Sequence, residues 1–97
     1  MTSKERAYLK GLASTMDCVL SLGKSTVTPE FIQAVEEAVN KRELIKINVL
    51  KNADVDIRNA AEVMADRTHA TVVQVVGRKI VLFKKADKNS KIEFPRR

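Results

Sequence analysis

Val19-Leu20-Ser21-Leu22-Gly23-Lys24-Ser25-Thr26-Val27-Thr28-Pro29-Glu30-Phe31 reads in succession as a short apolar strand, a small polar loop with one glycine and one lysine, and a helix start. Thr28 is placed to cap, and Pro29 takes the first helical position, where a missing N–H and a fixed φ do no harm. A strand feeding a helix through a short loop sets an α/β architecture, because strands separated by helices tend to lie parallel with right-handed crossovers. The loop also offers backbone N–H groups and the positive end of a helix to an anion, for which phosphate is the natural candidate.

Gly23-Lys24-Ser25 supplies the last three letters of the nucleotide-binding GxxxxGK[ST] loop, but the motif fails here. Cys18 stands where its first glycine is required, and Thr28-Pro29 starts the helix several residues after the lysine instead of at it. On spacing alone, the commoner reading is an ordinary strand-to-helix turn with a solvated lysine.

Working outward, the spacing predicts a helix from about Ser3 to Ser14 with a Thr2/Glu5 capping box. Ala7 or Tyr8, Leu9, Leu12 and Ala13 form its apolar stripe, and Lys4, Arg6 and Lys10 project elsewhere. The first strand is expected over Cys18 to Leu22. From Pro29 to about Arg42, Phe31, Ile32, Val35, Ala38 and Val39 recur at helical spacing. Leu44 to Leu50 alternates, with Ile45, Ile47 and Val49 facing one way and Lys46 and Asn48 the other. Asn52-Ala53-Asp54 is expected to cap a third helix running to about Thr68. Thr71 to Val76 and Ile80 to Phe83 form a hairpin whose tip is Gly77-Arg78-Lys79. The fold class is thus a single α/β domain, α-β-α-β-α-β-β, with a mixed four-stranded sheet and helices packed on it. Because the crossovers put helices two and three on one face, the Lys46 and Asn48 face is expected to stay open. The segment from about 86 to 97 is basic and expected to be loosely held.

Ninety-seven residues suffice for one core, and 44% hydrophobic with 31% charged residues fits a soluble globular domain. No apolar run approaches the roughly 20 residues that span a bilayer. A start without a secretory signal and a single cysteine, Cys18, point to a reducing cytoplasm. Cys18 and the lone His69 have no partner motif and read as structural. The net charge of +6 is uneven: residues 1 to 28 hold four basic and two acidic groups, 29 to 70 six and eight, and 71 to 97 eight and two. Positive ends around a slightly acidic middle suit a polyanion-binding surface, although a basic excess also serves plain solubility.

Lys10-Gly11-Leu12-Ala13, Leu22-Gly23-Lys24 before Val27-Thr28, Arg42-Glu43-Leu44-Ile45-Lys46-Ile47 and the run Val73 to Phe83 together resemble the bacterial stand-alone CRM domain, the YhbY family. The resemblance covers nearly the whole chain in one order. It implies an RNA-binding domain folded like the C-terminal domain of bacterial translation initiation factor three, with strand four between strands two and three, acting on precursors of the large ribosomal subunit. It also implies a GxxG loop like that of KH domains, which clamps nucleotides by close backbone approach. Here that loop is Gly23-Lys24-Ser25-Thr26, with threonine in place of the second glycine.

The expected RNA contacts are Gly23, Lys24, Ser25 and Thr26, with Lys24 beside Lys4, Arg6 and Lys10. Lys46 extends this patch over the sheet, and Arg78 and Lys79 form a second contact at the hairpin tip. Few aromatic residues are left over for stacking, which favours recognition of backbone and shape. A non-catalytic, monomeric, cytoplasmic, ribosome-associated protein is expected. It would bind ribosomal RNA and have no cofactor, metal, membrane or small-molecule substrate. The alternative is an adaptor that docks on a ribosomal protein or assembly factor through helices two and three. No Ser/His/Asp, Cys/His or metal-ligand constellation supports an enzyme.

Overall fold

The computed structural model describes residues 1–23, 27–53, 55–86 and 92. The element order is α1 (Ser3–Ala13), β1 (Leu20–Leu22), α2 (Pro29–Arg42), β2 (Leu44–Val49), α3 (Ile57–Thr68), β3 (Thr71–Val76) and β4 (Lys79–Phe83). The four strands form one sheet in the order β1-β2-β4-β3, parallel between β1 and β2 and antiparallel elsewhere. This is the mixed sheet with strand four between two and three that the resemblance implied.

Local chemistry sets the helix ends. Glu5 N–H donates to Thr2 Oγ1 and Thr2 N–H to Glu5 Oε1, both at 3.0 Å, which closes the capping box of α1. Thr28 Oγ1 accepts from Phe31 N–H at 3.1 Å, and Pro29 follows it into α2. The third helix departs from expectation: its cap is Asp56, whose Oδ1 accepts from Asn59 N–H at 3.2 Å, and not the Asn52-Ala53-Asp54 run. Asp56 is the last acceptor before the apolar periodicity of Ile57, Ala60, Ala61 and Met64 begins. Upstream, Ala53 N–H is turned back onto the Leu50 carbonyl, and the Ala53 side chain is buried; Asp54 lies outside the described residues. The first strand is also shorter than expected. Cys18 is half-buried ahead of the ladder, because the chain must travel from the end of α1 to the sheet edge before Leu20 can pair with Ile47.

Two cores result. On one sheet face Leu22, Ile45, Ile47, Val49, Ile80 and Leu82 pack under α2 and α3, meeting Val35, Val39, Ala61 and Met64. On the other face Leu44, Val73, Val81 and Phe83 pack against Leu9 and Ala13 of α1. The Lys46 and Asn48 face is therefore not open along its length. Helix α1 covers the Leu44 and Phe83 end because alternation puts apolar residues there that must leave water. The Asn48 and Lys79 end is left uncovered by the described residues. A bulge at Val73, between the Val72–Leu82 and Gln74–Val81 pairs, turns this extra valine into the α1 core.

Glu43 is a buried acidic residue that no local pattern singles out. It is 2% exposed at the end of α2 with φ +67°, and its carbonyl accepts from Lys84 N–H at 2.8 Å. Its Oε1 also accepts from Ala86 N–H at 3.3 Å, so one acidic residue ties residues 84–86 to the turn between α2 and β2. Of the segment from about 86 to 97, Ala86 and Ile92 are described, and Ile92 packs against the α1 core.

Candidate nucleic-acid interface

The sheet has one end at which β1 and β2 finish and the β3–β4 hairpin turns. Gly77 has φ +57° at the first turn position, and Val76 pairs with Lys79 across it, a two-residue turn of the kind that needs glycine there. Gly23 follows β1 at this same end. A Cβ on it would lie 3.6 Å from Leu50 Cδ1, an ordinary contact, so packing does not demand glycine; its effect is to keep a side chain away from the peptide group. Lys24, Ser25 and Thr26 lie outside the described residues.

The register brings Ser21, Asn48, Lys79 and Val76 into one row across all four strands. Ser21 and Val76 are exposed, and Lys79 Nζ donates to Asn48 Oδ1 at 2.7 Å. In the next row Lys46 Nζ donates to the carbonyls of Ala13 at 3.1 Å and Met16 at 3.4 Å, capping the negative end of α1. Arg6 Nη1 donates to the carbonyls of Val72 at 2.6 Å and Val73 at 2.9 Å, at the bulge. Glu5, on the other side of α1, lines a cleft with His69, Thr71 and Phe83 at the opposite end of the sheet. The Arg6 side of α1 thus borders the uncovered row. Lys10, one turn after Arg6, projects along that side and is exposed.

Of the cations predicted from sequence, Lys46 and Lys79 lie on the face of the sheet toward the end where Gly23 follows β1, and Lys10 is exposed on the adjoining side of α1, whereas Arg6 is held on the Val72 and Val73 carbonyls toward the other end of β3. Arg78 is also at the Gly23 end, but its Nε donates to the Val49 carbonyl at 2.9 Å and its Nη2 to that of Leu50 at 2.6 Å, closing the hairpin onto β2. Lys4 is exposed but lies about 200° around the helix from Arg6, on the outer surface of α1. Lys79 belongs to β4, not to the tip. Sequence reasoning missed Ser21, Asn48 and Val76 as members of the row. The alternation of β2 already placed Asn48 on the Lys46 face, but which strands flank it is set by long-range pairing.

Residues 1–84 match the CRS1/YhbY (CRM) domain. The chain belongs to this family. The CRM domain here is 34% identical over 95 residues to the Probable RNA-binding protein YqeI of Bacillus subtilis, covering 98% of this chain and 99% of that one. An RNA-binding protein of Haemophilus influenzae is 32% identical over 98 residues, covering 100% and 97%. The solution structure of a hypothetical Staphylococcus aureus protein, described as an RNA binding candidate, superposes with a TM-score of 0.82 at 34% identity, covering 98% and 99%.

Within the CRM domain, the cations divide into those that hold the fold and those that face solvent. Arg6→Ala removes two charge-assisted bonds to half-buried carbonyls and should cost about 2 kcal/mol. Lys10→Ala should leave the melting temperature within a degree or two, since exposed substitutions stay within about 0.5 kcal/mol. Thermal denaturation of the two variants side by side checks the division.

Proposed function

We propose that this protein is a non-catalytic, monomeric RNA-binding protein of the cytoplasm that binds ribosomal RNA in precursors of the large ribosomal subunit during their assembly. The observation that carries the reading is the convergence of Gly23, Lys10, Lys46 and Lys79 on the uncovered end of the sheet. Cations held on rigid elements beside a glycine suit a phosphate backbone, whose counterions are released on neutralisation. Membership of the CRM family and two relatives named as RNA-binding proteins support RNA as the polyanion.

The aromatic residues fit backbone recognition. Phe83 is in the α1 core and Phe31 packs against the α2–α3 core, so neither is free to stack on a base. The second reading, an adaptor, rests on α2 and α3, where Glu36, Glu37, Glu62 and Asp66 are exposed. Sedimentation of the protein with precursor subunits, before and after nuclease treatment, separates the two. Release by nuclease is expected; retention on protein-only particles would favour the adaptor.

A further inference from the structure

We infer that the cleft at the opposite end of the sheet is a second phosphate site for the same RNA, built from Lys84, Lys85, His69 and Thr71; this rests on the RNA-binding reading above. The cleft encloses about 430 Å³ beside Glu5 of α1 and the paired strand ends Thr71 and Phe83, a volume within the range of small-ligand clefts. Its cations are available where those of the sheet are not. Arg6, Lys46 and Arg78 are spent on carbonyls, and Lys79 on Asn48. The side chains of Lys84, Lys85, His69 and Thr71, by contrast, have no hydrogen bond or ion pair among the described residues. Of the described lining residues only Glu5 is acidic, and its Oε1 already accepts from Thr2 N–H. Ammonium groups only donate. Such a set selects no base, but it matches the acceptor oxygens and negative charge of a phosphate.

The backbone is arranged to hold these groups in place. Lys84 N–H donates to the Glu43 carbonyl and Ala86 N–H to Glu43 Oε1, so both lysines project from a segment pinned at each end. Glu43 does this from φ +67° and ψ −51°, and His69 reaches the cleft from φ +60°. They are the two non-glycine residues with positive φ among the described residues. Glycine takes such conformations without penalty, yet here one position carries the clamp and the other a ring nitrogen facing the same cleft. Costly backbone of this kind collects at functional sites. Pinned cations also lose less freedom on binding. The surroundings set the path of the RNA. Beyond Thr71 lies a groove lined by Glu62 and Asp66, which repels a phosphate strand, so the strand leaves the cleft over α1, toward exposed Lys10 and the Gly23 end. Lys79 to Lys84 is five residues of extended chain, about 17 Å, or about five nucleotides of strand at 3.4 Å each.

The test titrates the ¹⁵N-labelled protein with a single-stranded RNA of about twelve nucleotides, long enough to reach both ends of the sheet, and follows the backbone amides by NMR. The amides of Thr71, Lys84 and Lys85 should shift along one saturation curve with those of Gly23 and Asn48. Replacing Lys84→Ala together with Lys85→Ala keeps the anchoring N–H groups, so the melting temperature should stay within a degree or two. Fluorescence anisotropy should show this variant losing on the order of tenfold in affinity and roughly one unit of salt slope. His69→Asn retains a residue suited to a left-handed helix cap and should cost about threefold, the low end of one hydrogen bond. Shifts confined to the Gly23 end, or unchanged affinity and salt slope in the folded double variant, overturn the proposal and leave the RNA-binding reading standing. Inorganic phosphate that shifts the cleft amides as strongly as equimolar RNA also overturns it, since the site would then serve a free anion. No shift anywhere with RNA removes both.

Discussion

Leu9→Ala should lower the melting temperature by roughly 12 to 24 °C and weaken RNA binding at temperatures where the variant is still folded. Leu9 is fully buried between α1 and the sheet, against Leu44, Val73, Val81 and Phe83. Leucine-to-alanine changes in a packed core cost about 3 kcal/mol, through lost transfer energy and the cavity left behind. In a domain of this size each kcal/mol moves the midpoint by about 4–8 °C. Binding suffers because α1 is held on this face chiefly by Leu9, Ala13 and the Arg6 and Lys46 bonds, and it is α1 that carries Lys10 to the sheet end. Leu12→Ala is the internal control. The same deletion one turn on, at a residue 37% exposed, should cost under about 1 kcal/mol. Equal shifts for the two would mean that α1 does not dock through Leu9.

The part of the fold legible in the sequence is what period and caps encode. Phe31, Ile32, Val35, Ala38 and Val39 face the core as their spacing demanded, and the Thr2/Glu5 and Thr28-Pro29 starts are where their chemistry puts them. The cap of α3 is not legible in the sequence, because Asn52, Asp54 and Asp56 are all side-chain acceptors suited to an N-cap and Asp56 is the one used. The covering of the Lys46 face is hidden from the sequence for a related reason. Alternation in β2 shows a wet side at Lys46 and Asn48, but Leu44 belongs to that side too, and with Val81 and Phe83 it makes an apolar patch that α1 must cover. Strand pairing creates that patch, and no local pattern reveals it. For the interface, residue type singled out Gly23, Lys10, Lys46 and Lys79. It could not separate a cation facing solvent, such as Lys10, from those engaged by the fold, as Arg6, Arg78 and Lys46 are on carbonyls and Lys79 is on Asn48.

The RNA affinity itself should be strongly electrostatic. With about four phosphates engaged, log K should fall with a slope near −3 against log salt, so a change from 50 to 200 mM should cost on the order of 50-fold. Lys24→Ala, in the loop outside the described residues, should reduce that slope by roughly one unit. Net charge alone would give a similar salt response wherever the cations stand. The most direct test is therefore positional. Lys10→Glu with Lys79→Glu reverses two charges at the uncovered sheet end, and Arg58→Glu with Arg67→Glu reverses two exposed charges on α3. The measurement is the affinity of both double variants for one ribosomal RNA fragment at fixed salt. The first pair should lose on the order of 100-fold and the second only a few-fold, since screening at about 8 Å limits what distant charges contribute. Equal losses, or a greater loss from the α3 pair, would contradict an interface at this end of the sheet.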